Sequence, residues 1–216
     1  MTHTAQQQLI RVPAGTAQLE GMLVIPDGAP GVVLFAHGSG SSRHSPRNNY
    51  VAGKLHEAGL ATLLIDLLTE QEDRDYETRF DIALLTRRLQ CATEWLQTDP
   101  RTRQLRIGYF GASTGAAAAL QSAAALGSAI AAVVSRGGRP DLAGAQHLAR
   151  VKSPTLLIVG GHDDVVIELN QQAYDLLQCD KELVIVPGAT HLFEEPGTLD
   201  QAAQHACAWF GRHLNA

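Results

Sequence analysis

Short runs of aliphatic and β-branched residues alternate along this chain with longer segments in which apolar side chains recur at helical spacing. Gly, Pro, Asp and Asn punctuate the joins, as they commonly do between secondary-structure elements. The continuous apolar runs predict buried strands at residues 31–36, 61–66, 105–110, 131–135, 154–159 and 182–186. The amphipathic segments predict helices at residues 46–58, 79–96, 113–126, 142–150, 167–177 and 198–214.

Buried strands that alternate with helices predict the α/β class. The sheet should be mostly parallel and doubly wound, with helices on both faces, because parallel neighbours need crossover connections. Two stretches near the start, residues 9–12 and 18–25, predict an antiparallel hairpin at one edge. No repeat, linker or change of composition divides the chain, so we predict one domain over residues 1–216. The most polar stretch, residues 69–78, is interpreted as a solvated loop.

Composition narrows the possible partners. The chain has 216 residues, 45% of them apolar, which is enough to bury a full core without disulfides or structural metal. Its net charge of -5 comes from scattered residues and predicts no nucleic-acid partner. No apolar run approaches the roughly 20 residues that span a bilayer, and the N-terminus lacks signal-peptide features, so we expect a cytoplasmic protein without a membrane partner. The three cysteines lack C-x-x-C spacing, which predicts neither a disulfide framework nor a thiolate metal site.

Residues that follow the predicted strands are the candidates for chemistry, because ligands of doubly wound sheets gather at the carboxyl ends of the strands. One such loop, residues 111–115, is a G-x-S-x-G motif between a predicted strand and an Ala-rich helix. This context is typical of a serine held on a sharp, strained turn with its hydroxyl exposed. Ser113 is therefore the predicted nucleophile.

A serine hydroxyl needs a base to take its proton and an acid to orient that base. His191 follows the last predicted strand, and Asp163 follows the strand before it, so both should lie at the same edge as Ser113. The order Ser, Asp, His fits this architecture. Asp163 has the alternative of capping the next helix, which leaves Asp164 or Glu168 as other candidates for the acid.

The loop after the first buried strand, with sequence HGSG, offers main-chain donors for an oxyanion. We predict that the N–H groups of Ser39 and Thr114 form this oxyanion hole. His37, in the same loop, is interpreted as a structural hydrogen-bonding residue rather than a catalytic base.

The HGSG, GASTG, GGHDD and GATH loops, in this order over residues 31–191, resemble the α/β-hydrolase superfamily, and the small size resembles its dienelactone hydrolase-like branch. The resemblance implies an α/β-hydrolase fold without a large cap domain, and a hydrolase that cleaves a small-molecule ester or lactone, with a thioester as a further option. It implies a Ser113, Asp163 and His191 triad and no cofactor. The family's name-giving members carry Cys at the nucleophile position, so Ser113 favours ordinary carboxylic esters over dienelactone.

Arginines near the same edge are candidates for substrate binding. Arg136 and Arg139 flank a glycine pair after a predicted strand, and Arg43 follows the HGSG loop. Guanidinium groups there could clamp a carboxylate or phosphate. Arg136 or Arg139 could equally pair with a local acid such as Asp141 or Asp164. The alternative function is that of a non-catalytic protein of the same fold that binds a small anionic ligand. The sequence does not distinguish a monomer from a homodimer.

Overall fold

A computed structural model describes residues 7–215 of the chain, so the single-domain prediction extends beyond the described residues at both ends. Eight strands form one sheet: β1 (Gln7–Ala14), β2 (Ala17–Val24), β3 (Gly31–Ala36), β4 (Ala61–Ile65), β5 (Arg106–Ala112), β6 (Ile130–Arg136), β7 (Thr155–Gly160) and β8 (Lys181–Val186). The helices are α1 (Pro46–Glu57), α2 (Ile82–Thr98), α3 (Thr114–Leu126), α4 (Ala145–Leu148), α5 (Asp164–Leu176) and α6 (Thr198–Leu214).

The order of the strands across the sheet is β1-β2-β4-β3-β5-β6-β7-β8. The pairs β1·β2 and β2·β4 are antiparallel, and all remaining neighbours are parallel. The predicted parallel sheet with an antiparallel edge is thus confirmed. Because β3 to β8 run in the same direction, their following loops meet at one edge.

Apolar side chains cover both faces of the sheet. One core contains side chains of α2 and α3, including Leu89 and Leu120, packed on strand residues such as Val133. The other core contains side chains of α1 and α6, including Leu55 and Phe210. Helices on both faces confirm the predicted α/β-hydrolase architecture.

The largest departure from the predicted elements lies between β6 and β7. Instead of one helix over residues 142–150, the structure has a short 3-10 turn, Pro140–Ala143, followed by the four-residue α4. Gly144 separates them with a φ of +82°, a left-handed conformation that ends the first turn. The polar stretch 69–78 also contains a 3-10 turn at Glu72–Arg74, whose Glu72 pairs with Arg88 at 2.7 Å.

No helix within residues 7–215 combines the length and apolarity required to cross a membrane.

Candidate active site

The nucleophile candidate occupies the sharp turn between β5 and α3. Ser113 has a φ of 50°, in the left-handed region that L-residues rarely adopt. Glycines around the turn make this possible, since a Cβ added at Gly38 would lie 2.9 Å from Ser113 Cβ. A Cβ at Gly115 would lie 2.1 Å from the carbonyl oxygen of Ala36. The chain therefore forms the strained strand-to-helix turn that the G-x-S-x-G pattern predicts.

The histidine and acid candidates are joined directly. Asp163 Oδ2 lies 2.7 Å from His191 Nδ1, between the loops that follow β7 and β8. A carboxylate at this distance accepts the proton of Nδ1, so the lone pair of the neutral ring is on Nε2, the atom that a general base needs. The Asp163 side chain is 16% exposed and that of His191 is 38% exposed, which leaves the imidazole accessible.

The other acid candidates have different positions. The side chain of Asp163 makes no capping hydrogen bond to α5, so the capping alternative is not what this structure contains. Asp164 is the first residue of α5, and Glu168 accepts a hydrogen bond from Gln172 one turn along that helix. Of the three carboxylates, Asp163 is the one hydrogen-bonded to His191.

Main-chain hydrogen bonds join the loop after β7, which carries Asp163, to the loop after β8, which carries His191 (the histidine loop). His162 donates its N–H to the carbonyl of Ala189 at 2.9 Å, and Gly161 donates to that of Val186 at 2.8 Å. A Cβ at Gly160 would lie 2.5 Å from the Ala189 oxygen, so the two loops touch. The acid and the histidine are therefore held by one continuous backbone network.

Among the described residues, no hydrogen bond links Ser113 Oγ to the His191 ring. Both residues instead flank Gly137. The N–H of Ser113 points to the carbonyl of Arg136, the residue before Gly137, at 3.4 Å. A Cβ added at Gly137 would lie 3.7 Å from His191 Cε1. Hydroxyl–imidazole hydrogen bonds are often long in free enzymes and tighten with substrate. Ser113 and His191 thus both lie against the Arg136–Gly137 segment, without a hydrogen bond between their side chains among the described residues.

The predicted oxyanion donors lie beside the serine. Thr114 is the first residue of α3, where a backbone N–H has no partner within the helix. The N–H of Ser39 donates to the Thr114 side-chain oxygen at 2.9 Å. The G-x-S-x-G pattern predicts only the backbone N–H of Thr114 as a functional group, and its side-chain contact with the HGSG loop was not predictable from that pattern.

His37 lies under this loop as a buried, doubly hydrogen-bonded ring. Its Nε2 accepts the N–H of Leu67 at 2.9 Å, so Nδ1 carries the proton and donates to the carbonyl of Gly38 at 2.9 Å. Burial lowers the pKa of His37. These contacts agree with the interpretation of His37 as a structural residue.

The three arginine candidates differ in their surroundings. Arg139 forms two hydrogen bonds to Asp141, at 2.8 and 2.7 Å, which is the local ion pair left open by the sequence. Arg43 pairs with Asp66 and, at 2.7 Å, with Glu20. Arg136 is 7% exposed and has no carboxylate partner within the described residues. Arg43 and Arg139 thus have local carboxylate partners, whereas Arg136 does not.

A cleft of about 490 Å³ opens beside the HGSG loop, on the side of Ser113 that faces β4. Its walls are mostly polar, formed by Gln18, Glu20, His37, Ser41, Ser42, Arg43, Asp66, Leu68, Thr69, Glu70 and Asp73. The described residues contain no cluster of three or more His, Cys, Asp or Glu side chains arranged to hold a metal ion.

The family model of the dienelactone hydrolase family matches residues 19–214. This chain belongs to that family. The membership confirms the resemblance drawn from the four loops, and it places the dienelactone hydrolase fold over most of the chain.

Relatives of this dienelactone hydrolase family member include two proteins of Mycobacterium tuberculosis, in strains CDC 1551 and H37Rv. Both are 58% identical over 205 residues and are named provisionally as phosphoribosyl transferases. The alignment covers 95% of this chain and 46% of each relative. The chain therefore spans about half the length of the curated relatives it matches.

Solved structures repeat the fold. The crystal structure of dienelactone hydrolase from Anabaena variabilis shares 58% identity at a TM-score of 0.95, covering 98% of this chain and 99% of that one. An esterase from Pyrococcus furiosus shares 18% identity at a TM-score of 0.81, covering 98% and 92%. The second likeness shows the fold alone. Family membership and the Anabaena structure together support hydrolase activity.

Proposed function

We propose that this protein is a serine hydrolase that cleaves a carboxylic ester or lactone, or a thioester, of a small molecule. The observation that carries the proposal is the 2.7 Å hydrogen bond between Asp163 and His191, at the same sheet edge as the strained Ser113 turn. A histidine oriented through Nδ1 presents a basic Nε2, and a serine on such a turn presents its hydroxyl.

In the proposed reaction, His191 Nε2 takes the proton of Ser113 as the hydroxyl oxygen attacks the acyl carbon. The carbonyl electron pair moves to its oxygen and gives a tetrahedral intermediate. Its collapse breaks the bond to the leaving alkoxide or thiolate, which receives the proton from His191. Water then repeats the sequence on the acyl-enzyme, releases the acid and restores Ser113.

The oxyanion is proposed to rest on the N–H groups of Thr114 and Ser39. The N–H of Ser39 has a partner in the free protein, the hydroxyl of Thr114. Rotation of the Thr114 side chain would release the N–H of Ser39, which would then donate its hydrogen bond to the oxyanion as charge develops. One such donor is typically worth about 10²- to 10³-fold in kcat.

The leaving group is proposed to occupy the polar cleft lined by Ser41 and Ser42. His37 and Ser41, on either side of Ser39 in the chain, both line this cleft. The proposal therefore places the leaving group on the far side of the Ser39 loop from His191. The hydroxyl and carboxylate walls of the cleft favour a polar alcohol over a long hydrocarbon.

The test is the replacement Ser113→Ala. We expect loss of turnover on short-chain p-nitrophenyl esters by about 10⁴-fold or more, with unchanged far-UV circular dichroism. A fluorophosphonate probe should add one adduct to the wild type, seen by intact mass, and none to Ser113→Ala. The exposed Ser128 supplies a matched control, since Ser128→Ala should retain both properties. A wild type that neither turns over esters, lactones or thioesters nor takes up the probe would favour the non-catalytic alternative.

A further inference from the structure

One short segment, Arg136–Arg139, contacts both halves of the proposed machinery. Its carbonyl at Arg136 faces the N–H of Ser113 at 3.4 Å, and the N–H of Arg139 donates to the carbonyl of Ser113 at 3.0 Å. Both backbone groups of the proposed nucleophile therefore face this segment.

The same segment also contacts the histidine loop. Gly137 donates its N–H to Ile158 of β7 at 2.8 Å and has a φ of +50°. A Cβ at Gly137 would lie 3.0 Å from the backbone oxygen of His191, so the two backbones are closely packed. Arg136, at the end of β6, and Gly137, which follows it, therefore lie between the backbones of Ser113 and His191.

The side chain of Arg136 extends this bridge into the core. Its guanidinium carbon lies 5.9 Å from the centre of the Phe110 ring and 5.8 Å from that of Phe193. Nη2 reaches Asn48 Oδ1 at a long 3.4 Å, while Nε and Nη1 are buried without a partner. Burial, with a contribution from Arg47, lowers the pKa of Arg136 to about 10, so the group is a cation at neutral pH.

Phe193 is an unusual partner for this cation. It is 2% exposed and has a φ of 57°. Among the described residues, Phe193 and Ser113 are the two non-glycine residues with a positive φ. Phe193 follows His191 by two positions, and its N–H donates to Thr190 at 3.2 Å. A strained backbone persists only where its surroundings hold it, and the guanidinium faces the ring of this residue.

We infer that Arg136 is a positioning residue, whose guanidinium between Phe110 and Phe193 fixes the histidine loop relative to Ser113. This inference rests on the proposed function. Burial of a cation without a carboxylate partner destabilises the fold, and the attraction of the guanidinium to two aromatic rings offsets part of that cost. The expected signature is a residue whose loss slows catalysis without weakening the fold.

The experiment compares Arg136→Met with Arg136→Lys. Met keeps an unbranched chain and removes the buried charge, which is often neutral or stabilising, so we expect an unchanged or higher Tm. Misplacement of His191 should lower kcat by about 10- to 100-fold, with KM changed by less than about threefold. Lys restores a cation and should recover part of kcat. The exposed Arg150, which precedes β7 at the opposite edge, gives the matched control Arg150→Met, expected to resemble wild type.

Two substrates separate positioning from substrate contact: the p-nitrophenyl ester of succinate and its neutral methyl ester. Positioning predicts equal losses on both. A loss confined to the anionic ester would overturn the inference in favour of a direct contact, and a fall of Tm together with kcat would reduce Arg136 to packing. Unchanged kcat on both esters would also overturn it.

A second variant approaches the same contact from the other side. Phe193→Leu removes the ring and should lower kcat in the same way, and the double variant should lose less than the product of the two single losses. Full additivity would contradict the contact. Neither result bears on Ser113, because the fluorophosphonate adduct tests the proposed function separately.

Discussion

The two sides of Ser113 along the sheet edge are built differently. Toward β6, β7 and β8, backbone hydrogen bonds join the loops, and the loops are so close that a Cβ added at Gly160 would lie 2.5 Å from the oxygen of Ala189. The acid and histidine candidates lie on this side. Toward β3 and β4, the edge opens into the 490 Å³ polar cleft. One side is packed, and the other leaves room.

This difference separates two requirements of the proposed enzyme. Proton transfer between Ser113, His191 and Asp163 depends on a geometry held to fractions of an ångström, which packed loops provide. Choice of substrate depends on the shape and polarity of the open side, which can change without moving the packed one. Perturbing each side should therefore damage a different kinetic property.

The largest effect is expected from breaking the packed side at Asp163. Asp163→Asn replaces the acceptor of the His191 Nδ1 proton by an amide that favours the wrong tautomer, so kcat should fall by about 10⁴-fold. Turnover of a neutral p-nitrophenyl ester measures the loss.

Asp164→Asn is the matched control, one residue along at the start of α5. It should keep kcat within about threefold, because its carboxylate is not hydrogen-bonded to His191. The assignment of the acid is wrong if Asp164→Asn is the inactive variant and Asp163→Asn is not.

A smaller effect is expected from filling the open side. Ser42→Trp places a bulky ring on the wall of the cleft, so kcat/KM should fall about tenfold or more for esters of a large polar alcohol and by less than about threefold for methyl esters. The exposed Ser128, near the opposite edge, supplies the control Ser128→Trp. Equal losses on large and small alcohols would contradict the assignment of this cleft to the leaving group.

Much of the fold was predictable because buried parallel strands read as continuous apolar runs. The run that predicts β3 gives its bounds, Gly31–Ala36, without error. Prediction was wrong at residues 142–150, where helical spacing continued through Gly144 although the chain turns there with a positive φ. The start of α2 shifted to Ile82 because the Asp81 carboxylate caps it by accepting the N–H of Leu84.

The meeting of Ser113, Asp163 and His191 at one sheet edge was predictable, because each residue follows a strand of the parallel part of the sheet. Their catalytic roles stay predictions. The candidate site was not predictable where the outcome depends on a contact between distant side chains. Arg136 and Arg139 look alike in sequence, yet Arg139 pairs with Asp141 two residues away, while Arg136 turns into the core against Phe110 and Phe193. Local sequence holds no signal for that second outcome.

The smallest expected effect concerns His37, which supports the loop at the boundary between the two sides. Burial lowers the pKa of this imidazole below 6.5 in the folded protein, and unfolding returns it toward 6.5. As pH falls through this value, the unfolded chain binds the proton more readily than the folded one, so the free energy of unfolding decreases. The stabilising contribution of neutral His37 is therefore present above about pH 6.5 and is lost below it.

His37→Gln removes this titration while leaving an amide oxygen that can accept the N–H of Leu67. The variant should be less stable at pH 8, because the bond to the Gly38 carbonyl is weakened, but its Tm should fall less steeply between about pH 8 and pH 5. The exposed His44 gives the control His44→Gln, which should follow the wild-type curve. Burial also lowers the pKa of His56 and His213, but both remain in every variant, so their contributions cancel in the comparison. Parallel curves for wild type and His37→Gln would mean that the ring is protonated as easily in the folded protein as in the unfolded chain. That result would contradict the role of His37 as acceptor of the Leu67 N–H.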